Sequence, residues 1–109
     1  MAYDEGLAER IREVLSDRLE LVEKKMFGGV GYMLNGNMAC GVSADDLIVR
    51  VGPERYEKAL TKPHTKQFDM TGRPMKGWIV VTPPGYESDA ELAGWVLEGV
   101  EFALSLPPK

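Results

Sequence analysis

Few side chains in this sequence could do chemistry by themselves. There is one cysteine, Cys40, one histidine, His64, and carboxylate pairs at Asp4-Glu5, Asp45-Asp46 and Glu98/Glu101. A cysteine nucleophile needs an accessible, electropositive place and a base beside it. Cys40 instead alternates with Met38 and Val42 in Met-Ala-Cys-Gly-Val, which reads as a small hydrophobe on the inward side of a strand. His64, within Lys-Pro-His-Thr-Lys, reads as a solvated loop residue, and the strand register turns Cys40 away from the 61–66 loop. One His and one Cys cannot assemble a zinc site. The carboxylate pairs fall in a turn or on helical surface, where solvated charge is the ordinary role. Trp78 and Trp95 read as core-facing. No catalytic, metal-binding or cofactor-binding residue is expected, and no enzyme, although an enzyme of unknown type stays open as an alternative.

Phosphate chemistry has its own spacing rules. Residues 26–38, MFGGVGYMLNGNM, hold four glycines. A dinucleotide fingerprint needs a third glycine where Leu34 stands, and the chain has no Gly-Lys-Ser/Thr. Asn35-Gly36 between apolar runs is a type I′ hairpin signal, so the stretch reads as sheet.

The elements that must position these residues follow from periodicity. A helix is expected from Asp4, as N-cap, to Ser16, with Leu7, Ile11, Val14 and Leu15 on one face. Strands follow at about 20–26, 30–34, 37–43 and 47–51. A short helix is expected from Pro53 to about Leu60, with proline at its first position. A second hairpin spans 67–70 and 78–82, turning at Thr71-Gly72-Arg73-Pro74. The last helix opens on a Ser88-x-x-Glu91 capping box and presents Leu92, Trp95, Val96, Gly99, Phe102, Ala103 and Leu106. The order α-β(4)-α-β(2)-α with tight turns predicts an α+β fold, two layers, with an antiparallel sheet flanked by helices. Residues 1–109 read as one domain.

Regular two-residue turns at Asn35-Gly36 and Ala44-Asp45 would place Met33, Met38, Cys40, Val42, Leu47, Val49 and Val51 on one face. The opposite face would carry Val30, Tyr32, Leu34, Ile48 and Arg50, with Ala39 and Gly41. That second face is too apolar for full solvation, so it is the expected protein-contact surface, most simply for a homodimer.

Charge divides unevenly. Between Pro53 and Lys76, six bases (Arg55, Lys58, Lys62, Lys66, Arg73, Lys76) stand against three acids, whereas the whole chain is at −4. That basic segment is the only candidate surface for nucleic acid, and weak binding there is the alternative function. No apolar run reaches the length of a membrane span, and the first residues lack a secretory signal. With a single cysteine, no internal disulfide forms and the cytoplasm is the expected compartment.

The ordered pieces Lys25-Met26-Phe27-Gly28-Gly29-Val30-Gly31-Tyr32-Met33-Leu34-Asn35-Gly36-Asn37-Met38 and Asp46-Leu47-Ile48-Val49-Arg50-Val51 resemble the TfoX N-terminal domain family. Pro74-Met75 before a strand and Leu92 with Trp95 in the closing helix fit its later part. The resemblance implies a secretion-chaperone-like α+β fold. It also implies a role like that of regulators of natural competence, which act with the cyclic-AMP receptor protein at promoters. It supplies no catalytic residue. The helical C-terminal domain typical of named members is expected to be missing here, leaving a stand-alone N-terminal domain. Together these readings give a non-catalytic regulatory or protein-interaction module concerned with transcription.

Overall fold

The computed structural model describes residues 4–16, 21–26, 29–69 and 74–108. The element order is α1 (Glu5–Val14), β1 (Leu21–Met26), β2 (Gly29–Leu34), β3 (Asn37–Ser43), β4 (Asp46–Arg50), α2 (Tyr56–Leu60), β5 (Thr65–Asp69), β6 (Pro74–Val81) and α3 (Asp89–Ser105). The fold is therefore α+β in the expected order. A 3₁₀ turn at Pro83–Tyr86 precedes α3. The six strands form one antiparallel sheet ordered β1-β2-β3-β4-β6-β5.

Local chemistry explains the ends. The Asp4 carboxylate accepts the Leu7 backbone N–H at 3.1 Å, satisfying one orphan donor of α1. Ser88 and Glu91 close a reciprocal capping box at the start of α3. Asn35 and Gly36 have φ of 53° and 82°, the left-handed pair that a type I′ turn requires. At Gly29 the reason for glycine is proximity, because a Cβ there would overlap the Val42 carbonyl oxygen. Several boundaries differ from the sequence reading, the largest at β6, which begins at Pro74, a residue assigned to the turn, rather than at Trp78. Pro53 lies in a turn and α2 begins only at Tyr56, while β5 begins earlier, at Thr65. The 71–73 turn and the Phe27-Gly28 start of the glycine stretch lie outside the described residues.

A bulge reorganises the sheet faces. Leu34 pairs with Asn37 and Met33 with Met38, but Tyr32 then pairs with Cys40, leaving Ala39 as an extra residue on β3. One inserted residue reverses the facing of everything beyond it. Val30, Tyr32 and Leu34 therefore join Cys40, Val42, Leu47 and Val49 in the core, correcting the expectation that they share a face with Ile48 and Arg50. The Tyr32 hydroxyl donates to the Ala8 carbonyl of α1 at 3.0 Å, which fixes it beneath a helix. Met33 and Met38 move to the other face, with Gly41, Ile48 and Val80.

The helices contribute Leu7, Ala8 and Ile11, then Tyr56 and Ala59, then Leu92, Trp95, Val96, Val100 and Ala103, to this one hydrophobic cluster. All three thus lie on the same side of the sheet. Gly99 sets the closest approach, for a Cβ there would overlap the Ala39 carbonyl oxygen at the bulge. Among the described residues no helix packs on the opposite sheet face.

Candidate protein-contact cleft

A surface cleft lies between α2 and α3, two of the helices on the core side of the sheet. Arg55, at the N-cap of α2, Lys58 within it and Lys62 just beyond it form one wall of a cleft of about 470 Å³; Glu98 and Glu101 of α3 form the other. Ala59, Gly94 and Leu97 complete its lining. Why these side chains point there follows from the core. With Tyr56 and Ala59 buried, the remaining positions of the short α2 face solvent and α3. With Leu92, Trp95, Val96, Gly99 and Val100 buried, Gly94, Leu97 and Glu101 must face away from the sheet.

The electrostatics are two-signed. Arg55 donates to Glu101 across the cleft at 2.7 Å, and that hydrogen bond holds the guanidinium even more firmly protonated. The Lys62 ammonium sits 4.8 Å from the Trp95 ring centroid, a cation–π placement. Lys58 and Lys62 form no ion pair among the described residues. Apolar area is exposed beside these charges: Leu97 is 45% and Leu104 40% accessible on α3.

Only half of the expected basic segment meets here. Lys66 lies on β5 opposite Val80, on the sheet face that carries no helix. There it opposes the effect of burial on Asp46, whose carboxyl is nevertheless held above its usual range, first by desolvation. Lys76 is exposed on β6, and Arg73 lies outside the described residues. Among the described residues, the five bases of the segment do not form one patch.

The expected contact face also separates. Val30, Tyr32 and Leu34 are core residues. Ile48 stays on the open face but is only 5% accessible, so any partner would gain no more than a few tenths of a kcal/mol by covering it. Arg50 sits 5.2 Å from the Trp78 ring and 5.3 Å from the Phe102 ring. Trp78, read as core-facing, is half-buried on that open face, where it contacts Phe68 at a ring-centroid distance of 6.1 Å.

The reactive residues stand apart. Cys40 is buried, and burial pushes its thiol up to about 12, the opposite of an activated nucleophile. His64 is exposed at a corner with φ 64°, where its backbone carbonyl accepts the Thr82 N–H at 2.8 Å. The Tyr56 hydroxyl, the buried side-chain polar atom without a partner among the described residues, is not part of the cleft lining. No group of three His, Cys, Asp or Glu able to hold a metal occurs among the described residues.

Sequence reasoning missed Gly94, Leu97 and Leu104 as surface residues of interest. The signal was present: Leu97 and Leu104 recur at helical spacing away from the core stripe of α3, so apolar residues extend beyond its buried face onto the side that also carries Glu98 and Glu101.

An antiparallel sheet with three helices on one side, and a charged cleft between two of them, defines a small α+β domain. The chain belongs to the TfoX N-terminal domain family, whose profile matches residues 13–103. That membership makes it a regulator-like domain in general terms. A search of curated proteins finds no match. Among the described residues no helix is long and apolar enough to cross a membrane.

Proposed function

We propose that this domain is a non-catalytic regulatory module that acts in the cytoplasm by binding protein, in transcription control of the competence-regulator kind. The observation carrying this reading is α3. A helix that buries one face in its own core and still exposes Leu97 and Leu104 is more apolar than a fully solvated surface helix needs to be. Family membership supports the regulatory half, and the separation of the buried Cys40 from the exposed His64 supports the non-catalytic half.

The test is genetic and physical together. A deletion strain is compared by transcript profile with strains carrying the wild-type chain or Leu97→Glu. Leu97 is exposed, so the variant keeps its melting temperature within a few degrees while failing to restore the wild-type profile. Full restoration by Leu97→Glu removes α3 as the contact surface. A deletion that leaves every transcript unchanged removes the regulatory role.

A further inference from the structure

We infer that the partner seated on the α2–α3 cleft is a second copy of this chain, docked about a twofold axis that runs parallel to α3. The inference rests on the protein-contact reading of α3 and adds the occupant. Its carrying observation is the charge on the two walls: Arg55, Lys58 and Lys62 on one side, Glu98 and Glu101 on the other. A surface with one positive and one negative wall is complementary to its own image when the rotation exchanges the walls. A twofold axis parallel to α3 and lying over the cleft does so, setting α3 of each copy against α2 of its partner. A twofold axis across the helices would instead set α2 on α2 and α3 on α3, opposing like charges. Only the first arrangement is electrostatically closed.

Gly94 is an independent observation. Glycine inside a helix costs about 1 kcal/mol relative to alanine. Nothing in the chain requires it here, because a Cβ at Gly94 would meet no atom within 4 Å. Gly99, by contrast, is explained by the Ala39 carbonyl. An exposed glycine beside Leu97, on the lip of the cleft, lets another backbone come close and lets Leu97 be covered. In the dimer, Arg55 exchanges its exposed intrachain bond with Glu101 for the same bond to the partner's copy at no net loss of pairing.

Charge exchange tests this directly. The pair Lys58→Glu/Lys62→Glu makes both walls negative, and Glu98→Lys/Glu101→Lys makes both positive. The wild type is expected to be a salt-sensitive dimer in sedimentation at high micromolar concentration. Each double variant should be monomeric or at least tenfold weaker. An equimolar mixture of the two should recover a heterodimer, and the quadruple exchange should recover a homodimer. Circular dichroism melts confirm that each variant is folded. A monomeric wild type overturns the inference and leaves α3 as a surface for a different protein. Double variants that dimerise like the wild type overturn the cleft as the homodimer interface. Full restoration of the transcript profile by Leu97→Glu, with the charge-exchange pattern intact, counts against the regulatory reading of α3 and not against the dimer.

Discussion

Cys40 shows how a single position turns from a chemical candidate into a structural one. Its thiol is enclosed between Tyr32 on β2 and Val49 on β4, the residues paired with it across the ladders. Removal from water is what raises it, from 9.0 to about 12. A group held more tightly protonated in the fold than in the unfolded chain contributes stability that is complete below its unfolded pKa. That contribution is lost as pH rises through the folded value. The window therefore runs from about 9 to 12. Within it, wild-type stability should fall relative to Cys40→Ala by about 1.4 kcal/mol per pH unit. Urea melts of the two proteins at matched pH measure that difference, and a flat difference across the window would show an accessible thiol. The same burial predicts that a thiol reagent labels Cys40 only after denaturant is added.

At the scale of elements, two glycines of one helix should respond oppositely to the same change. Gly99→Ala drives a methyl into the Ala39 carbonyl at the bulge and pushes α3 off the sheet, at a cost of roughly 2–4 kcal/mol. Gly94→Ala meets open space and gains helix propensity, stabilising the dilute protein by about 0.5–1 kcal/mol. Chemical denaturation gives both signs in one experiment; equal effects would mean that α3 does not approach the sheet as described. The contrast also marks what the sequence can and cannot carry. Asn35-Gly36 and the Ser88–Glu91 box were legible because local chemistry determines them. The extra residue at Ala39 was not, since Ala39 and Cys40 are both small and apolar and either fits the inward position. One illegible bulge then moved three of the five expected contact residues into the core. Thr65 at the start of β5 was hidden for a related reason, since its hydroxyl donates to the Lys62 carbonyl at 2.7 Å and a polar residue there masks the strand pattern.

Across the whole molecule, charge placement favours the proposed protein-contact reading over a nucleic-acid surface. Duplex DNA is held by cations arrayed along one face, each releasing a counterion from a phosphate. In the chain this array would be the bases between Pro53 and Lys76, which looked continuous in sequence. In space, Lys58 and Lys62 stand opposite Glu98 and Glu101, and Arg55 is already bonded to Glu101. Lys66 lies across the sheet, on the other face. A phosphate backbone approaching the cleft would therefore meet both carboxylates together with the lysines, and the net charge of −4 opposes its approach from a distance. Fluorescence anisotropy with a labelled duplex should show no saturable binding near physiological salt. Below it, any residual affinity should fall with log salt at a slope of magnitude no more than about 2, reflecting two or so phosphate contacts at about 0.9 each. Replacing Lys58, Lys62 and Lys66 together with Gln should leave the melting temperature nearly unchanged and abolish that residue of binding. A tight complex whose slope demands six or more contacts would require the bases to act from one surface, and the two-sided placement of Lys66 and Lys62 does not permit it.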